Sequence, residues 1–139
     1  MTTFERTPIQ PAGVWTPDKY PYSHAVSVKA QKMLFISGQV ALDENANFVG
    51  VGDMAAQTRQ VYANLGAVLA SAGADFRHVI ELTTFIVGRE NLPAHLATLE
   101  DLYKVLYPHG AYPCDNVILV AGLYREEFLL EVKAVAAIP

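Results

Sequence analysis

The chain has 139 residues, 52% of them hydrophobic and only 17% charged, with a net charge of −4. That length sets a single domain over 1–139, large enough to bury a core unaided. The acidic balance and the lack of any basic run exclude a nucleic-acid partner, Cys114 alone excludes an intrachain disulfide, and no apolar run approaches a membrane span, so a cytoplasmic protein is expected.

Residues 1–20 carry Pro8, Pro11 and Pro17 and read as an extended lead-in rather than a helix. Ser23–Val28 alternates loosely and Met33–Gln39 is apolar, so both read as strands, paired as a hairpin across the polar turn Lys29–Lys32. Asp43–Gly52 is loop. Asp53 is an N-cap, and the helix it opens, Met54–Ala72, places Val61, Leu65, Val68, Leu69 and Ala72 on one face before Gly73 ends it. Val79–Val87 is rich in β-branched residues and predicts a strand. A second helix, Pro93–Tyr107, starts on a proline and stops at Pro108 and Gly110. Val117–Leu123 and Phe128–Val135 predict two final strands joined as a hairpin by Tyr124–Glu127. The order β-β-α-β-α-β-β predicts an α+β sandwich, with two helices on one face of a mixed sheet. The other face is left uncovered, and the apolar composition points the same way, to an oligomer.

Several short pieces follow one another at defined spacings: Pro21-Tyr22-Ser23, Ile36-Ser37-Gly38-Gln39, Ala55-Ala56-Gln57-Thr58-Arg59-Gln60, Thr83-Thr84-Phe85, Pro113–Leu123 and Leu130–Ala136. Together they resemble the Rid (YjgF) family of reactive-intermediate imine and enamine deaminases. The resemblance implies a chorismate-mutase-like fold, a homotrimeric barrel, small-molecule clefts between subunits, and no cofactor. Tyr22, Ser37 and Tyr103 match cleft residues, and Glu131 matches a glutamate thought to position or activate the hydrolytic water. Three positions depart from the pattern. Asp115 stands where the known deaminases carry a carboxylate-binding arginine, Glu100 where they carry an asparagine, and His24 where they carry a glutamine.

Imine hydrolysis needs water held at an electrophilic carbon and a proton delivered to the leaving nitrogen. Glu131, Asp115 and His24 are the candidate catalytic groups; Tyr22, Ser37, Glu100, Tyr103 and Cys114 are the candidate substrate-binding groups. Asp115 cannot make the bidentate contact that an arginine gives a carboxylate, so a neutral or cationic ligand is favoured over an amino-acid-derived imine. Asp115 in a Pro-Cys-Asp-Asn loop is equally an ordinary turn residue. Cys114 reads as a passive thiol, its pKa raised by the neighbouring carboxylate. No closely spaced ligand pair supports a metal among His24, Glu100, Asp115 and Glu131. The expected function is a deaminase-type hydrolase; the alternative is a non-catalytic, ligand-binding or regulatory trimer. Ribonuclease activity fits poorly with the acidic charge.

Overall fold

Alternating burial along a central strand organises this molecule, for which a computed structural model describes residues 3–17 and 20–139. The elements are β1 (Glu5–Ile9), β2 (Ala25–Lys29), β3 (Lys32–Gln39), α1 (Met54–Ser71), β4 (Val79–Val87), α2 (Leu92–Leu106), β5 (Cys114–Val120) and β6 (Leu130–Ile138). The α1 start is set by Asp53, whose Oδ1 accepts from the Ala56 amide at 3.0 Å. Gly73, at φ +71°, takes the left-handed conformation that ends the helix. Pro93 sits in the first turn of α2, where its missing N–H leaves nothing unpaired.

Four strands form a mixed sheet in the order β3-β6-β4-β5, with β4 and β5 parallel and the other pairs antiparallel. Both helices cover one face. Val61, Leu65 and Leu69 of α1 and Leu99 of α2 pack with Leu82, Ile86, Leu130 and Val132 of the sheet in one buried cluster. The α+β class and the helix and central-strand bounds agree with the pattern in the chain.

Two pairings differ from expectation. The lead-in holds a strand, β1, and β2 pairs antiparallel with it rather than with β3. β3 instead lies beside β6, where Leu34 and Ile36 stand opposite Ala136 and Ala134. The last two strands are no hairpin either, because β4 runs between β5 and β6. The physical reason is common to both. β4 and β6 fully bury alternate residues against the helices and half-bury most of those between, and the strands with the most apolar surface take the centre, where neighbours on both sides cover them.

Two buried polar side chains sit under the helices. Gln57 donates to the carbonyls of Gly50 (3.0 Å) and Glu127 (2.8 Å) and accepts from the Leu129 amide at 2.9 Å, tying two loops to α1. His95 is fully buried on α2, with Nδ1 3.0 Å from Thr58 Oγ1. That hydroxyl donates to the Met54 carbonyl, so Nδ1 carries the ring proton and Nε2 keeps an unpaired lone pair. Burial lowers the His95 pKa to about 4.

The other face of the sheet is open. It presents Phe35, 77% exposed, with Met33, Ile118, Ser37, Lys133 and Glu131 between and around them.

Candidate functional site

Asp115 lies on β5, which closes one edge of the sheet. Parallel pairing sets it opposite Leu82, so its side chain faces the helix-covered side. Thr84, two residues on from Leu82 and on the same face, donates from Oγ1 to Asp115 Oδ1 at 2.9 Å. Behind this pair stand three buried phenols. The Tyr62 and Tyr103 hydroxyls are 3.0 Å apart, and Tyr107 donates to the Phe76 carbonyl at 3.0 Å. Burial raises the pKa of all three, so they stay neutral.

Among the described residues no lysine or arginine pairs with Asp115. Burial pushes its carboxyl up to about 7, against the weaker opposing effect of hydrogen bonds from Thr84 and the Asn116 amide. A carboxyl in this state both gives and takes a proton near neutrality. It is therefore not the fixed anion that its place in the chain suggests, and it is no turn cap. It lines a cavity of about 590 Å³ with Tyr20, Pro21, Tyr22, Leu96 and Asn116.

The other candidates divide into groups. Tyr22 shares the Asp115 cavity. Glu100, exposed, and Tyr103, buried, line an adjoining cavity on α2. His24 is turned away, its Nε2 donating to the Trp15 carbonyl at 2.6 Å and its ring edge-on to Trp15 and Tyr22. Cys114 points to the opposite side from Asp115. Its thiol pKa is raised, as expected, but by burial first and then by Glu81 across the strand pair rather than by Asp115.

Ser37 and Glu131 occupy the open face. A β-bulge at Ser37-Gly38 interrupts the β3–β6 ladder. A Cβ on Gly38 would fall on the Glu131 carboxylate, so this glycine makes the space in which that side chain lies. Within one protomer, then, Asp115 and Glu131 are on opposite faces of the sheet, and the four candidate groups His24, Glu100, Asp115 and Glu131 do not converge. Among the described residues no cluster of three metal-ligating side chains exists.

Sequence reasoning missed Tyr20, Thr84 and Tyr62. Thr84 was visible only as part of Thr83-Thr84-Phe85; its contact with Asp115 depends on parallel register, which no local pattern encodes.

Residues 16–138 match the family described as endoribonuclease L-PSP. The chain belongs to this family, the Rid (YjgF) family. Protein DfrA of Myxococcus xanthus is 39% identical to it over 116 residues, 84% of either chain. A 2-iminobutanoate/2-iminopropanoate deaminase of Mus musculus is 33% identical, over 84% of this chain and 80% of the mouse protein. Among solved structures, the Rid-family protein YyfB from Yersinia pestis superimposes with a TM-score of 0.85 at 35% identity, covering 96% of this chain and 98% of its own. The Rid fold thus carries Asp115 here in a pocket built of tyrosines.

Proposed function

We propose that this Rid-family chain is a deaminase-type hydrolase of a small imine or enamine, neutral or cationic rather than carboxylate-bearing. The observation that carries the reading is Asp115, a largely buried carboxyl that no described cation pairs with, its pKa pushed up to about 7 in a cavity. The deaminase name of the mouse relative supports the reaction class.

The reaction consumes one water and releases one ammonia. Protonated Asp115 gives its proton to the imine nitrogen, which makes the carbon more electrophilic. Water adds to that carbon and loses a proton to the carboxylate, giving a carbinolamine. Proton transfer to nitrogen then lets the C–N bond break, leaving a carbonyl and ammonia. Glu131 orients the water in this scheme, with Ser37 beside it. Tyr22, Glu100 and Tyr103 shape the walls; His24 and Cys114 lie outside the reacting centre.

Because Asp115 and Glu131 lie on opposite faces of one sheet, the scheme needs two copies of the chain. The open face of one protomer, with Phe35 and Met33, closes against the β5 edge of the next in a homotrimer, so that the cleft lies between subunits. Ammonia release from candidate imines tests the reading. Glu131→Ala and Asp115→Asn are both expected to lower the rate at least tenfold; rates equal to wild type for both remove these groups from the chemistry.

The separation of the two carboxylates within a protomer favours a second reading, a ligand-binding protein without turnover. Thermal stabilisation by a compound that is never consumed is its signature.

A further inference from the structure

Two cavities meet at Tyr20, Pro21 and Leu96. The smaller holds Asp115. The larger, about 820 Å³, runs onto the last turn of α2 and is lined by Tyr103, Tyr107 and Tyr112, and the scheme above leaves most of it unused. Tyr112 stacks on Tyr103 with centroids 5.7 Å apart at 23° and meets Tyr107 edge-on at 6.0 Å and 76°. Tyr103 and Tyr107 are buried, Tyr112 half-buried and Tyr20 exposed at the mouth. The charged residues lining this arm, among those described, are Glu100 and Lys104, and Lys104 Nζ is 3.4 Å from Asp101 Oδ1.

An arm walled by phenol faces and prolines, with its described cation, Lys104, beside Asp101, suits a flat apolar group. The end of the groove that holds a carboxyl unpaired by any described cation suits a basic nitrogen. We propose that the joined groove takes an arylalkyl amine, or the imine derived from it, with the nitrogen at Asp115 and the ring among Tyr20, Tyr107 and Tyr112. This rests on the Asp115 reading above and adds the substrate class. An aliphatic amine leaves the tyrosine arm empty; an aryl carboxylate sets its negative charge against Asp115.

The full chain reports binding through Trp15, its single tryptophan, whose ring meets Tyr20 at 6.3 Å and Tyr22 at 6.1 Å. Fluorescence titrations with phenethylamine, butylamine and phenylacetate are expected to give phenethylamine at least a tenfold lower Kd than either of the others. Ala97 lines the ring arm from an exposed position on α2, so Ala97→Phe fills the arm without disturbing the core. It is expected to raise the phenethylamine Kd to the butylamine level, and Tyr112→Leu to narrow the gap. Phenethylamine binding no better than butylamine, phenylacetate binding best, or a tenfold gap that survives Ala97→Phe overturns the proposal. Phenethylamine is a saturated amine that an imine hydrolase does not turn over, so its affinity tests this proposal alone, and the deaminase reading stands or falls separately on ammonia release from imines.

Discussion

The two faces of the four-stranded sheet make opposite use of similar residues. Under the helices, Leu82, Ile86, Leu130 and Val132 are fully buried, and the polar groups placed among them, Asp115 and His95, are driven toward their neutral forms. On the other face Phe35 is exposed and Glu131 lies over Gly38 in the groove of a bulge. One carboxylate is tuned by loss of water, the other is positioned by backbone. A single sheet thus presents two carboxyl groups in different settings, one under the helices and one laid over a glycine on the open face.

The contrast breaks most visibly in the core. Leu82→Ala empties fully buried volume and is expected to cost about 2–5 kcal/mol in denaturant unfolding. A cost below about 1 kcal/mol is incompatible with the packing described.

Next come the two buried titratable groups, whose effects on stability have opposite sign. His95 has a folded pKa of about 4 against 6.5 in the unfolded chain. The unfolded state binds more protons between these values, so stability is full above about 6.5 and falls as pH drops toward 4, by about 3 kcal/mol. Asp115 has a folded pKa of about 7 against 3.8 unfolded. Here the folded state binds more protons, so stability is full below about 3.8 and falls as pH rises to 7, by up to about 4 kcal/mol. Between pH 4 and 6.5 the two largely cancel in wild type. Asp115→Asn is expected to leave a stability that climbs with pH, and His95→Gln one that declines. Unfolding curves of the two variants that run parallel across this range contradict the assignment.

A smaller effect belongs to the open face. Gly38→Ala is expected to push Glu131 aside and lower turnover about tenfold, an activation-energy change of about 1.4 kcal/mol, with little change in melting temperature. An equal loss of turnover and of stability would mean that the glycine serves the fold alone. The smallest effect on the protomer is that of Phe35→Lys. At 77% exposure it is expected to shift protomer stability by no more than about 0.5 kcal/mol. Light scattering coupled to gel filtration is nonetheless expected to show smaller particles, since the proposed homotrimer closes through this face.

The elements themselves were legible in the chain. Asp53 and Gly73 bracket α1, Pro93 opens α2, and Val79–Val87 is the strand its composition predicts, because caps, prolines and β-branched runs act over a few residues. Pairing was not legible. β2 next to β1 and β4 between β5 and β6 depend on which strands compete best for the centre of the sheet, a choice made by the whole set of apolar faces at once. The site divides along the same line. Asp115, Glu131, Tyr22 and Glu100 were named from motif positions, but that two of them lie on opposite faces follows from register alone.

By itself the amino-acid sequence determined the family, the α+β class, the helix ends, and the presence of an aspartate where an arginine is usual. Tertiary structure decided what that aspartate is. Parallel pairing with β4 turns Asp115 toward Thr84 and the phenols of Tyr62, Tyr103 and Tyr107, where it is largely withdrawn from solvent and pairs with no described cation. The charge of a carboxyl is set by its surroundings, and surroundings gathered from residues 62, 84, 103 and 107 exist only once the chain is folded.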